Sequence, residues 1–375
     1  MKYKFEDIIY NITEKKKPTD EDRLNYIGLE HLDSDNLFIR RWGAERTPDG
    51  EKIVIKKGDV LFGKRRAYQR KVAISPIDGV FSAHGMVLRP KEDVIAKDFL
   101  PFFISSDTFL NEAIRISVGG LSPTINWKDI KVLEFNLPSL SEQKVLAAKL
   151  WAAYEVKQSY LEMIEAIDEL VKSRFIEECY SRYPKQKLGG HISVIRGVSY
   201  KPSDVRSSVD AGVAIILRSN NIADGEINFD DLVYVVQERV QNEQKLKPGD
   251  IVMCGSNGSK SLVGKAGLLK DNIPNAAFGA FCLGIKCKET ILPEYLNTYF
   301  NTHVYRNEIE SMGNGTNIIN IRPDNITNLS IPIPPVEKQK AFVEVVNQAD
   351  KSKSELRKSL EAINKVIKSL INENL

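Results

Sequence analysis

The sequence predicts an α+β protein built as an internal pseudo-two-fold repeat. Two mixed α/β globular domains are separated by two long helices, which pack as an antiparallel coiled coil. Three observations predict this. The stretch NLPSLSEQK at 136–144 returns as PIPPVEKQK at 332–340, with Pro138 on Pro334, Gln143 on Gln339 and Lys144 on Lys340, at an offset of 196 each time. Each copy opens a long run without Gly or Pro, from Leu140 to Tyr183 and from Val336 to the C-terminus. Both runs place apolar residues at alternating spacings of four and three.

The repeat divides the 375 residues into a first globular domain at 1–138, a first helix at 139–180, a second globular domain at 181–334 and a second helix at 335–375. Upstream of the helices the echo continues with a drifting offset. KKGDVLFG (56–63) matches KPGDIVMCG (247–255), with Gly58 on Gly249 and Asp59 on Asp250. RISVGGLSPTINWKDI (115–130) matches IESMGNGTNIINIRPDNI (309–326), and YIGLEHLDSDN (26–36) matches ILRSNNIADGE (216–226) more loosely. Downstream, EAIDELVKS (165–173) falls on EAINKVIKS (361–369) without insertion.

In each globular domain short β-rich runs precede helical ones. KIVIKKGDVLFG, KVAISP, GVAIILRS and KPGDIVMCG read as strands among turn residues. DFLPFFISSDTFLNEAIR and PEYLNTYFNTHVYRNEIE read as helices. A strand ending in Gly-Asp-apolar-apolar leads in each copy to a polar, Gly-rich or basic loop.

The first long helix opens on Ser139-x-x-Glu142, a capping box. The second has Pro335 in the Ser slot, which suits a first turn but not the same cap. The first seam is Leu146, Leu150, Ala153, Lys157, Tyr160, Ile164, Ile167 and Val171; the second is Phe342, Val346, Ala349, Lys353, Leu356, Leu360, Ile363 and Ile367. About four heptads of this kind specify a coiled coil rather than a broad globular face, and forty helical residues make a rod of roughly 60 Å. An apolar stripe of that length needs a partner, and the other copy in the same chain is the simplest. Lys157 and Lys353 interrupt both seams at the same position. They either fix register or extend their ammonium groups to solvent.

Charge is informative in its distribution. The chain carries a net +3, whereas Arg40 to Lys71 holds eleven Lys or Arg against four acids. Five of the eight residues at 64–71 are basic, which favours a nearby polyanion. Candidate nucleic-acid-binding residues are Arg40, Arg41, Lys64, Arg65, Arg66, Tyr68, Gln69, Arg70 and Lys71 in the first copy. In the second they are Arg218, Asn220, Asn221, Ser256, Asn257, Ser259, Lys260 and Lys265. Lys and Arg neutralise phosphates; Arg reads guanine, and Asn or Gln reads adenine. The turn GGLSPTINW and its counterpart GNGTNIINI either aim backbone amides at phosphate or only reverse the chain.

Other chemistry is disfavoured. Cys179, Cys254, Cys282 and Cys287 show no CxxC spacing and read as reduced thiols of a cytoplasmic protein. The four histidines are scattered, so no metal site is expected. No secretory h-region and no apolar run of membrane-spanning length occur. GSNGSKS places Gly-Lys-Ser one residue out of a phosphate-binding loop. No catalytic residues are expected: the sequence lacks a nucleophile elbow, an NPPY-type methyltransferase tetrapeptide, and an Asp with Glu-x-Lys on neighbouring strands.

At these residues the chain resembles the specificity subunits of type I restriction–modification systems. The two-unit layout, the Gly-Asp strands entering different loops (58–71 and 249–266), the SVGGLSPTIN/SMGNGTNIIN turn and the paired helix starts carry the resemblance over nearly the whole chain. It implies that the globular parts are target-recognition domains and the helices conserved spacers. It implies a non-catalytic reader of double-stranded DNA that binds two adenine methyltransferase subunits and, in full systems, two ATP-driven restriction subunits. S-adenosylmethionine and ATP/Mg would bind those partners, and this chain would hold no cofactor. A stand-alone nucleic-acid-binding regulator and a fused nuclease or methyltransferase are the competing readings.

Overall fold

The structure is a computed structural model that describes residues 1–207, 212–312 and 320–375. It divides into two compact units, Met1–Leu161 with Arg357–Leu375, and Glu162–Leu356. Each unit therefore holds one half of each long helix. Those helices run over Leu140–Arg174, with a further π-helical turn at Phe175–Tyr180, and over Val336–Asn372.

The first unit contains two four-stranded sheets. One is antiparallel, with strand order Ile9–Ile12, Met86–Pro90, Val60–Phe62, Val72–Ile74. The other runs Lys15–Lys16, Lys52–Ile55, Gly79–Phe81, Tyr26–Ile27, its last pair parallel. In the second unit the same antiparallel core recurs as Ile192–Arg196, Cys282–Cys287, Ile251–Cys254 and Ala266–Leu268. The parallel pair recurs as Val213–Leu217 with Ala276–Phe278. A two-stranded ribbon closes each unit beside the helix start: Lys2–Lys4 with Glu134–Asn136, and Lys185–Lys187 with Ser330–Pro332.

The predicted helical segments are each broken once, at matching positions. Ser106 separates Leu100–Ser105 from Asp107–Arg115, and its hydroxyl accepts from the Phe109 N–H at 3.1 Å. Thr302 separates Pro293–Phe300 from His303–Met312, and its hydroxyl accepts from the Tyr305 N–H at 3.3 Å. A short hydroxyl side chain competes for backbone donors and so caps a new helix.

The Gly-Asp pairs are turns that open strands rather than strand ends, which corrects the sequence expectation. Gly58 and Gly249 sit at φ +90° and +91°, where a side chain is strained. The Asp carboxylates then accept from the Lys56 and Lys247 amides, both at 2.8 Å. Each carboxylate also holds a cation across the sheet: Arg89 at 2.6 Å from Asp59, and Lys286 at 2.6 Å from Asp250.

The repeated glutamine has the same task twice. Gln143 is fully buried; its Oε1 accepts from Ala96 N–H at 2.8 Å, and its Nε2 donates to the carbonyls of Val94 and Pro138, both at 3.0 Å. Gln339 is equally buried, accepts from Leu292 N–H at 2.8 Å, and donates to Thr290 at 3.0 Å and Pro334 at 2.8 Å. Each amide thus fastens a long helix to its globular part. The capping box forms as expected: Ser139 Oγ and N–H donate to Glu142 at 2.7 and 2.8 Å, and these two bonds hold that carboxyl below its ordinary pKa.

Seam residues near the helix starts serve the unit cores. Leu146 and Leu150 pack in the first core with Phe99 and Phe103, where Ile371 joins them from the end of the second helix. In the second unit Phe342 meets Phe175, ring centroids 5.5 Å apart. Lys157 and Lys353 do not reach solvent; they are 9% and 7% exposed. Lys157 donates to the Asp35 carbonyl at 2.8 Å and lies over the Tyr154 ring. Lys353 lies between Asp168 at 2.7 Å and Asp350 at 3.1 Å. Burial alone would favour the neutral amine at both. At Lys157 burial prevails over the charge of Asp35 and the pKa falls; at Lys353 burial is opposed by the hydrogen bonds and charges of Asp168 and Asp350, which together outweigh it, and the pKa rises.

Replacing Gln143 by Leu keeps the volume and leaves one buried N–H and two carbonyls unpaired. At about 1–3 kcal/mol for such a group, Gln143→Leu and Gln339→Leu are each expected to lower the unfolding free energy by about 3 kcal/mol in urea titrations. A loss under about 1 kcal/mol in both would show that these amides do not secure the junction.

Candidate nucleic-acid interface

The basic loop of the first unit leaves the strand Val60–Phe62 and is held against the turn at 118–124. Ile125 N–H donates to the Lys64 carbonyl at 3.0 Å, and Arg66 N–H donates to the Pro123 carbonyl at 2.7 Å. Arg65 and Thr124 form a β-bridge. Arg66 takes the left-handed conformation, φ +57°, and its Nε donates to Ser122 Oγ at 3.1 Å. Beside this loop the turn Ser82–Gly85 presents His84, whose carbonyl accepts from Arg65 N–H at 3.2 Å. The outer surface so formed carries Lys64, Arg65, Arg66, Tyr68 and His84, with Leu121 98% exposed at the tip of the neighbouring turn.

Positive charge and partial burial set the electrostatics of this surface. Burial and then the charge of Lys15 lower the Lys64 pKa. His84 is also held below its ordinary value, by burial and then by Arg65, Lys64 and Lys52. Clustered positive charge opposes further protonation, so His84 offers a neutral ring at pH 7.

The other basic residues of the first copy are engaged within the unit. Arg70 forms an ion pair with Asp107, and Lys71 donates to the Leu29 carbonyl at 2.7 Å. The Gln69 carbonyl accepts from Ser34. Arg41 grips Asp33 through two nitrogens, at 2.6 and 3.0 Å. Arg40 donates to Gln158 of the first long helix at 2.9 Å. The structure thus brings 64–68 together on one face and gives Arg40, Arg41, Arg70 and Lys71 structural partners.

In the second unit the same frame holds different side chains. Ser256 bridges Asn320, as Arg65 bridges Thr124. Asn257 donates to Ser219 Oγ at 3.1 Å and accepts from Ser259 N–H at 2.9 Å. Lys260 is exposed and Lys265 half-buried. Arg218 and Asn220 both donate to Asp231, at 2.8 and 3.1 Å. Asn221 is fully buried; it accepts from Arg218 N–H and donates to the Asp230 carbonyl, a turn-forming role. Most of the second copy of the polar turn, 313–319, lies outside the described residues.

Several neighbours were not singled out from the sequence: His84, Leu121, Phe281, Arg196 and Arg322. Phe281 is 72% exposed and occupies the turn position that His84 holds in the first unit. Its carbonyl accepts from the amides of Gly255 and Ser256, at 2.8 and 3.0 Å. Aligning GVFSAHGM (79–86) with AAFGAFCL (276–283) exposes the pair. Among the described residues no three His, Cys, Asp or Glu side chains are grouped to hold a metal, and no helix is long and apolar enough to cross a membrane.

The chain is thus a duplicated α/β unit with one shared loop frame and two loop contents. A family model described as the type I restriction modification DNA specificity domain matches residues 4–164 and 207–366, and the chain belongs to that family. The type I restriction enzyme StySPI specificity subunit of Salmonella potsdam is 37% identical over 169 residues, 44% of this chain and 36% of that protein. The EcoKI specificity subunit of Escherichia coli (strain K12) is 35% identical over 167 residues, 43% and 36% of the two chains. The chain thus matches about a third of the length of these two relatives. A solved structure concerned with complex assembly and conformational transition of the type I R-M system shares the fold. Its TM-score is 0.52 at 17% identity, covering 100% of this chain and 97% of that one.

Partnering separates fold residues from surface ones. Arg70→Ala removes a half-buried ion pair and is expected to lower the unfolding free energy by about 1–2 kcal/mol. Arg65→Ala is expected to change it by under about 0.5 kcal/mol. Thermal unfolding of both variants checks the contrast.

Proposed function

We propose that this chain is the DNA sequence-recognition subunit of a type I restriction–modification complex. Each unit would read one half of a bipartite site, and the chain itself would carry out no catalysis. The observation that carries this reading is the conserved frame with exchanged contents. The same bridge joins the loop after the Gly-Asp strand to the following turn in both units, yet one loop is GKRRAYQ and the other GSNGSKS. A protein reading the same half-site twice would keep the loop side chains with the frame. Different side chains on one frame fit an asymmetric target, with cations setting register on phosphates and polar and aromatic groups reading bases.

The long helices would pack as an antiparallel coiled coil that sets the gap between the half-sites. Contacts within the second unit support this: residues 342 and 353 of the second helix meet 175 and 168 of the first, in opposite chain order. Two methyltransferase subunits and, in a complete complex, restriction subunits would dock on this chain. They would bring S-adenosylmethionine and ATP/Mg with them.

A base-resolution map of N6-methyladenine in host DNA, with and without the gene, tests the function. One bipartite, asymmetric motif should lose its methylation on deletion; an unchanged map from a host that expresses the whole system counts against the reading. Matched seven-residue insertions in both long helices should lengthen the recognised gap, whereas an insertion in one helix should abolish methylation. Matched insertions that leave the gap unchanged would refute the spacing role.

A further inference from the structure

The side chain of Phe281 stands out on the surface of the second unit. Its ring stands 72% exposed, while its backbone is fixed by two amide donors from Gly255 and Ser256 and by the turn in which Cys282 N–H donates to Gly279 at 2.8 Å. A single exposed apolar side chain is common, but one held on a rigid turn beside the second loop can serve a contact. Its surroundings say what kind. A concavity of about 310 Å³ opens beside it, lined by Arg196, Ser256, Asn320 and Arg322. Among the described residues neither Arg196 nor Arg322 has an ion-pair partner, and both are exposed. An exposed aromatic ring that shares a concavity with two guanidinium groups lacking an ion-pair partner among the described residues suits contact with a base and its neighbouring phosphates.

The first unit supplies the comparison. His84 occupies the same turn position, 197 residues earlier, and its carbonyl accepts from Arg65 as that of Phe281 accepts from Ser256. One backbone position therefore presents a ring that can hydrogen-bond in one unit and a ring that cannot in the other. We propose that Phe281 is a specificity-determining residue of the second unit that contacts a base through its apolar ring, and that His84 is its hydrogen-bonding counterpart in the first. This rests on the DNA-recognition reading above. The phenyl ring wedges against one base step of the second half-site or packs on a thymine methyl, and both favour particular base pairs without a hydrogen bond.

The test uses the full chain assembled with its methyltransferase partners and a duplex library randomised at each half-site in turn. Phe281→Ala should weaken binding to the wild-type site by about tenfold, the usual order for losing one base–aromatic contact. It should flatten the preference at one position of the second half-site, leave every preference in the first half-site intact, and leave the melting temperature unchanged. Phe281→Tyr should restore most of the affinity. Wild-type affinity and preferences in Phe281→Ala would overturn the assignment while leaving DNA recognition standing, as would a loss spread equally over both half-sites. A wild-type complex with no bipartite preference would instead overturn the recognition reading, and the assignment with it.

Discussion

Each unit depends on a neutral amide buried at a helix start. Gln143 and Gln339 use both N–H donors and the carbonyl, each closing three hydrogen bonds to main chain from two separate segments. A charged side chain there would need a desolvated counterion, and an apolar one would leave main-chain groups unpaired. Glutamine alone among the common side chains offers this donor and acceptor set at that reach. The consequence is register. Sliding the helix by one residue would turn the amide about 100° away from its partners. The helix therefore leaves each unit at one angle and one phase, and everything along it inherits that phase.

The rest of each helix follows from that anchoring. Once phase is fixed, the residues at 146 and 150 must enter the first core, and those at 342 and 343 the second. The paired lysines show how one position is satisfied in two ways. Lys157 meets a carbonyl and a ring face, whereas Lys353 meets two carboxylates. Tyr154 takes the first-unit place that Asp350 holds in the second, donating to Asn36 at 3.0 Å; burial pushes its pKa up to about 12. The frame is shared while the polar chemistry packed on it has diverged.

Much of this was legible in the sequence because repetition is a property of order. The matched Gln, Gly-Asp and helix-start residues named the anchoring points before any geometry was known, although not what they bind. The charge cluster was less legible. Sequence counts five cations at 64–71 but cannot see that Asp107, 37 residues on, takes Arg70, or that the Leu29 carbonyl, 42 residues back, takes Lys71. Those partners lie on other elements, so only the tertiary structure separates Arg65 and Arg66 from them. Asn221 misled for the same reason: its amide looks like a base reader and serves a buried turn. His84 and Phe281 are hard to pair in the sequence because they belong to different chemical classes, and identities are what make the repeat visible.

That last pair shows how such a unit can change its surface while its fold stays fixed. The Gly-Asp turn, the bridge from the loop to the next turn, and the amide holding the carbonyl of residue 84 or 281 are all backbone devices. None depends on the side chains at 65, 84, 256 or 281, which project from the frame without supporting it. Exposed substitutions of this kind cost little stability, whereas a change at Asp59 or Asp250 would unpair a cation and a backbone amide at once. The fold therefore separates what must stay from what is free to vary. Loop side chains can diverge between the two units of one chain while their cores, turns and helix anchors keep the same form.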